Sequence, residues 1–255
     1  GLNGTIIGIV IKECARRAMA AIRARRFTFE AKEKGFRPDG RTDWVTDADV
    51  LAQKIYTKLL REAFPHFGIV GEEDELSIPC SIEGENIYFT VDPLDGTAAF
   101  TRKQSSGVAT MCSLVWGDEV IASCIGDVLT GEVYYFRPDS QKVHRISKNG
   151  FASVLLIDHD KPLADQHLLL RDPVSYHPGG LTRHLCETQE SQLFKGLSFA
   201  NGSIGLSMAR LWKGEVGGAI LTANKQTPWD MSPIVGMNDM LGIIAFELGY
   251  SATQC

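Results

Sequence analysis

Ile87-Tyr88-Phe89-Thr90-Val91-Asp92-Pro93-Leu94-Asp95-Gly96-Thr97 runs from an apolar stretch into two carboxylates, a Pro, a Gly and a Thr. The first five residues are mostly β-branched or aromatic and predict a buried strand. Pro93 and Gly96 predict a tight turn directly after it. The end of a buried strand does not tolerate carboxylates unless something positive meets them. Hard cations such as Mg²⁺ take oxygen ligands, often one or two carboxylates plus substrate phosphate oxygens. The segment therefore predicts half of a metal site, and the other half must come from elsewhere in the chain.

Two stretches qualify. Gly71-Glu72-Glu73-Asp74 follows the short apolar run Phe67-Gly68-Ile69-Val70 and again places acids at a strand end. Asp230 follows Thr227-Pro228-Trp229 and opens a late helix. Taken alone, Asp230 reads as a helix cap, Glu72 as a solvated turn acid and Thr97 as a helix N-cap. Their company is what gives them a second meaning.

The rest of the chain sets the frame. Its 255 residues suffice for one large domain or two modest ones, and 44% hydrophobic with 22% charged residues is ordinary for a globular protein. A net charge of −5 argues against a surface that coats nucleic acid. Arg16, Arg17, Arg23, Arg25, Arg26, Lys32 and Lys34 cluster at the amino-terminal helix and its exit, and read as a solvated face. Cys14, Cys80, Cys112, Cys124, Cys186 and Cys255 form no CxxC pair, so neither zinc nor a redox motif is indicated. Reduced thiols and a cytoplasmic setting follow as expectations. No apolar run of about 18 residues predicts a membrane span, and Gly1 to Ile11 lacks the features of a secretory signal. The six histidines show no ligand spacing, and Trp44, Trp116, Trp212 and Trp229 read as core or cleft-wall aromatics.

Periodicity predicts a helix from Asn3 to about Arg26 with Ile6, Ile7, Val10, Ile11, Cys14, Ala18, Ala21 and Ile22 on its apolar face. A polar stretch with Gly35, Pro38 and Gly40 follows. A second helix, capped by Thr46 or Asp47, carries Val50, Leu51, Ile55, Leu59 and Leu60 and ends near Phe64-Pro65. Strands are expected at 67–70, 87–91, 108–116, 120–127, 133–136 and 143–146, with hairpin connections at 116–119 and 129–132. Beyond Ser153, strands at 154–157, 168–170 and 216–221 alternate with helices around 179–187, 203–213 and 230–247. Helices then sheet, followed by alternation, predicts an α/β protein built as an α+β half and an α/β half. The soft boundary lies near Lys148-Asn149-Gly150, giving 1–150 and 151–255 with a shared cleft.

Glu72-Glu73, Asp92-Pro93-Leu94-Asp95-Gly96-Thr97 and Trp229-Asp230, in that order, resemble the signature of the inositol monophosphatase superfamily. Asp43-Trp44-Val45-Thr46-Asp47-Ala48-Asp49 is similar to its Val-Thr-x-x-Asp element. The resemblance implies a layered α-β-α-β-α sugar-phosphatase fold and a Mg²⁺-dependent, lithium-sensitive phosphoric monoester hydrolase. It implies two or three Mg²⁺ held by Glu72, Asp92, the Leu94 carbonyl, Asp95 and Asp230. Thr97 and Asp49, with Glu72 beside the nucleophile, would orient or deprotonate the attacking water. Asp95, Gly96, Thr97, Ser203 and Asp230 would meet the substrate, a small phosphorylated metabolite, with the main-chain N–H groups of Gly96 and Thr97 facing its phosphate. Fructose-1,6-bisphosphatases and 3′(2′),5′-bisphosphate nucleotidases share the pattern. A homodimer is implied, with no nucleic acid or membrane as partner.

The chain also departs from that pattern. Ala223 replaces the Glu that contacts inositol ring hydroxyls, and Phe199 replaces an Arg three residues before Gly202-Ser203. Met231-Ser232-Pro233-Ile234-Val235-Gly236 stands where small residues are expected, and a final strand or turn common in the family, after Phe246-Glu247-Leu248-Gly249, is expected to be missing or altered. The metal half keeps the pattern; the half that chooses the leaving group does not. A non-catalytic phosphate- or partner-binding protein would instead have lost a metal carboxylate or Thr97.

Overall fold

The computed structural model describes residues 2–36, 42–171, 193–221 and 227–246. Helix α1 (Gly4–Arg25) begins where the Asn3 side chain accepts a bond from the Ile6 amide. Its buried face is Ile7, Gly8, Ile11, Cys14, Ala15, Ala18, Met19 and Ile22, while Ile6 is 48% exposed. The following polar stretch forms an antiparallel pair of β1 (Ala31–Phe36) and β2 (Thr42–Thr46). β1 lies outside the core and is nearly all exposed, so no apolar alternation marks it.

Helix α2 (Asp47–Ala63) opens on a capping box between Thr46 and Asp49. Its buried face is Ala48, Asp49, Ala52, Gln53, Tyr56 and Leu60. Val50, Leu51, Ile55 and Leu59 are only half-buried, so the expected apolar face is rotated. Small and polar residues win the inner side because α1 and the acid cluster press against it.

An eight-stranded sheet follows: β3 (Gly68–Gly71), β4 (Ser77–Ile78), β5 (Ile87–Asp95), β6 (Ala109–Trp116), β7 (Glu119–Asp127), β8 (Val133–Phe136), β9 (His144–Ile146) and β10 (Ala152–Val154), in the order β10-β9-β8-β7-β6-β5-β3-β4. Neighbours are antiparallel except β3 and β5. Residues alternate between two cores. Cys112, Leu114, Ala122, Cys124, Val133 and Tyr135 join α1 and α2, whereas Met111, Ile125, Tyr134 and Phe136 join α4 (Ile204–Trp212) and α5 (Pro228–Leu241). Burial on both faces makes β6 an unbroken apolar run rather than an alternating one.

A second, all-parallel sheet of β11 (His167–Leu170), β12 (Gly196–Phe199) and β13 (Gly218–Ile220) has the order β12-β11-β13. β12 was not anticipated: four residues that include a Gly and a Ser carry little strand signal. The expected strand at 154–157 is instead the edge strand β10, and Leu155 and Ile157 pack on the second core. The layers run α1/α2, eight-stranded sheet, α4/α5, three-stranded sheet; the helix expected at 179–187 lies outside the described residues. The anticipated division near Gly150 falls inside the β9–β10 hairpin.

Among the described residues Cys14, Cys80, Cys112 and Cys124 are free thiols, and no helix is long and apolar enough to cross a membrane. The basic cluster is not uniformly solvated. Arg23 donates to the Val128 carbonyl (2.9 Å), Arg25 pairs with Asp47, and Arg26 donates to the Gln104 carbonyl (2.9 Å). Trp212 is core, but Trp116 is 46% exposed and donates to Glu85.

Candidate metal centre

β5 positions the first acids, and its geometry corrects the expected turn. The strand runs on through Asp95, with Asp92 opposite Met111 and Asp95 opposite Ala109. Three steps on β5 match two on β6, which is a β-bulge, and Pro93 sits in it without breaking the ladder. Side chains alternate along a strand, so residues three apart ordinarily face opposite sides. The extra residue cancels that parity and turns both carboxylates the same way. Oxygens of Asp92, Asp95 and Asp230 all lie within 4.8 Å of one another.

Asp230 reaches this point from the first turn of α5, where Thr227 occupies the N-cap position and donates to Asp230 Oδ2 at 2.6 Å. The capping role read for Asp230 alone therefore gives way to a place in the cluster. Glu72 comes from the end of β3, with its carboxyl close enough to Asp92 for the two to perturb each other. Gln53 of α2 clamps the adjoining backbone, accepting from Glu73 N (2.9 Å) and donating to Glu73 O (2.6 Å).

Thr97 is the first residue of α3 (Thr97–Thr101), with Gly96 as its N-cap. Its hydroxyl lies 3.1 Å from Asp49 Oδ1 and 3.0 Å from the Leu94 carbonyl. The other oxygen of Asp49, Oδ2, accepts from Thr46 N (2.8 Å) and Thr46 Oγ1 (2.5 Å). One carboxylate thus closes the α2 capping box and holds Thr97. Gly96 is required: its φ is +92°, and a Cβ there would stand 2.2 Å from the Gly107 carbonyl oxygen.

Ser203 caps α4, is fully buried, and donates to Asp95 Oδ2 at 2.5 Å while accepting from Leu206 N. Ile204 N (3.2 Å) and Gly205 N (2.9 Å) also donate to Asp95. The Asp95 carboxylate is therefore oriented by a helix amino terminus.

Burial pushes Asp49, Glu72, Glu73 and Asp92 up. Asp49 rises to about 6, opposed by bonds from Thr46 and Thr97. Glu72 and Glu73 each rise to about 7 through burial, with Lys34 pulling both down. Asp92 stands well above the carboxylate range, first from burial and then from the charges of Glu72, Asp95 and Asp230. Lys34, assigned from sequence to a solvated face, reaches in from β1 to Glu73 (2.7 Å) and Glu72 (3.4 Å). Burial opposes its charge, but the carboxylates still hold its ammonium above the ordinary lysine range.

An all-oxygen donor set and three carboxylates converging within 4.8 Å fit a hard divalent cation. Reading from sequence missed Lys34 and Gln53. Gln53 carried a usable signal, a polar residue one turn from Asp49 and Tyr56 on the inner stripe of α2; Lys34 carried none. Phe199 ends β12 and is 60% exposed, whereas Ala223 lies outside the described residues.

Comparison with known proteins identifies the family. The family model "Inositol monophosphatase family" matches residues 7–235. "Nus factor SuhB" of Xylella fastidiosa is 34% identical over 97 residues, 37% of this chain and 32% of that protein. "Inositol-1-monophosphatase" of Caulobacter vibrioides is 30% identical over 125 residues, 48% of this chain and 46% of that protein. The chain thus aligns with less than half the length of these curated relatives. The crystal structure of extragenic suppressor protein suhB from Bartonella henselae superposes with a TM-score of 0.67 at 21% identity, covering 92% of this chain and 85% of that one, which shows the shared fold. The chain belongs to the inositol monophosphatase family.

Proposed function

We propose that the protein hydrolyses a small phosphate monoester with Mg²⁺, in the manner of inositol monophosphatases. The observation that carries this reading is the convergence of Asp92, Asp95 and Asp230, with Glu72 beside Asp92 and the Thr97–Asp49 pair alongside. Glu72, Asp92, Asp95, Asp230 and the Leu94 carbonyl would hold two or three ions. Mg²⁺ bound there supplies charge neutralisation for the phosphoryl group and acidifies water.

The chain's own residues do the rest. The Thr97 hydroxyl has acceptors at Asp49 and Leu94, so its lone pairs point back to accept a proton from the attacking water. As Thr97 takes that proton on Oγ1, it passes its own to Asp49 Oδ1, whose raised basicity suits a proton acceptor near neutral pH. Glu72 stands beside the same space. The backbone N–H groups of Gly96 and Thr97 would meet phosphate oxygens. Ser203, fully buried, serves the substrate through Asp95. In this division residues 1–150 supply most ligands and 151–255 add Ser203, Asp230 and the leaving-group side, and the protein works as a homodimer. Inositol phosphate, a 3′(2′),5′-bisphosphate nucleotide and a sugar bisphosphate are the candidate substrates.

A phosphate-release panel over these compounds, with Mg²⁺ and with or without Li⁺, tests the reading. Turnover that requires Mg²⁺ and falls with Li⁺ is expected; absence of turnover on every compound removes the hydrolase assignment in favour of ligand binding.

A further inference from the structure

We propose that Arg171 is a positioning residue for the metal centre, acting through one peptide group on Asp95. Arg171 directly follows β11, the central strand of the parallel sheet, and ligand sites gather at the carboxyl ends of such strands. Its Nη2 donates to the Gly202 carbonyl at 2.8 Å. The N–H of the same peptide group belongs to Ser203 and donates to the Gly107 carbonyl at 2.9 Å. The Gly202–Ser203 peptide plane is thus held at both ends, by a guanidinium on one side and by main chain on the other. Gly202 has a φ of +85°, and a Cβ there would stand 2.3 Å from Gly107 O, so the backbone has no slack to compensate.

That plane sets the direction of the Ser203 side chain. Ser203 Oγ donates to Asp95 Oδ2 at 2.5 Å, and the amides of Ile204 and Gly205 follow onto the same carboxylate. The path is therefore Arg171, Gly202 carbonyl, Ser203 hydroxyl, Asp95. A charged donor makes a stronger bond to a carbonyl than a neutral one, so the arginine stiffens the turn more than water would. Without it the peptide tilts, the hydroxyl loses its aim, and Asp95 presents its oxygens less well. Groups behind metal ligands commonly govern affinity about tenfold or more. This inference rests on Asp95 being a metal ligand.

Calorimetric titration of Mg²⁺ into metal-free full-length protein, combined with thermal unfolding and phosphate release, separates the possibilities. Arg171→Ala should weaken Mg²⁺ binding about tenfold, with Arg171→Lys recovering part of the loss. Ser203→Ala should weaken binding as well, and Arg171→Ala added to Ser203→Ala should cost little more, because both act along one path. For Arg171→Ala, KM at saturating Mg²⁺ should not move. Unchanged Mg²⁺ affinity overturns the proposal, whether the variant merely melts earlier (a structural role) or shows a raised KM (a substrate contact). Full additivity of the two changes also overturns it. If the unaltered protein binds no Mg²⁺, the metal-centre reading falls and this one with it, a failure recognisable because it appears before any substitution.

Discussion

Asp92→Asn should abolish turnover and yet stabilise the metal-free protein at neutral pH. Asp92 is 2% exposed, and burial followed by the charges of Glu72, Asp95 and Asp230 raises its pKa well above the ordinary range. A carboxyl whose folded pKa is raised binds its proton more tightly in the folded state. Its contribution is fully favourable below the unfolded value and declines as pH rises towards the folded value. The slope is about 1.4 kcal/mol per pH unit above a free value of about 3.9, giving a ceiling of about 5 kcal/mol at pH 7.5. Asparagine escapes this cost. Its amide oxygen still accepts from Leu94 N, as Asp92 Oδ1 does at 3.1 Å. A gain of about 2 kcal/mol, under half the ceiling because neighbouring protons and Lys34 already relax the cluster, corresponds to roughly 4–8 °C in Tm. Thermal unfolding in EDTA at pH 7.5 and again at pH 4.5, with and without Mg²⁺, reads the result. The gain should vanish at pH 4.5, and Mg²⁺ should raise the Tm of the unaltered protein much more than that of the variant. A variant that melts earlier at pH 7.5 in EDTA, or that keeps the full Mg²⁺ response, refutes the reasoning.

The unaltered metal-free protein should itself lose stability between about pH 4 and 7, since Asp49, Glu72 and Glu73 are raised to about 6, 7 and 7; denaturant midpoints across that window, flattened by Mg²⁺, check the sign. Gly96→Ala should cost about 2–4 kcal/mol by the strained backbone and the overlap with Gly107, measured by urea unfolding, and should remove activity. Lys34→Met should destabilise the metal-free protein at pH 7.5, because Glu72 and Glu73 lose their shared cation, and should enlarge the Tm rise on adding Mg²⁺. Ala223→Glu should raise activity on inositol phosphates relative to the other compounds of the panel; an unchanged ratio removes the account of that departure.

How much was legible depended on where each residue stood. β5 to β8 and α1 declared themselves because burial on both sheet faces, or on one helix stripe, writes long apolar runs. β1 and β2 left no such trace because they pack outside the core, and Lys34 travelled with them into the wrong category. α2 was found but turned the wrong way, since its inner side holds Ala, Asp and Gln where bulkier residues would not fit. Asp92, Asp95, Glu72, Thr97 and Asp49 were recognisable by type and order. Asp230 and Thr97, read alone, looked like caps, and the structure gives those cap positions to Thr227 and Gly96.

The chain alone determined which oxygen donors exist, their order, and that a strand would deliver them to one end of a sheet. It could not determine that they meet. Asp92 and Asp95 stand at a spacing that a regular strand would split between faces, and only the bulge against β6 brings them together. Asp230 lies far along the chain and arrives because α5 packs on the second core, which depends on side chains from β6 to β8. Ser203 and Arg171 act on Asp95 only because three backbone turns close at Gly96, Gly107 and Gly202. Local sequence specifies chemistry residue by residue, but a charge cluster is a property of distance, and distance is decided by long-range packing.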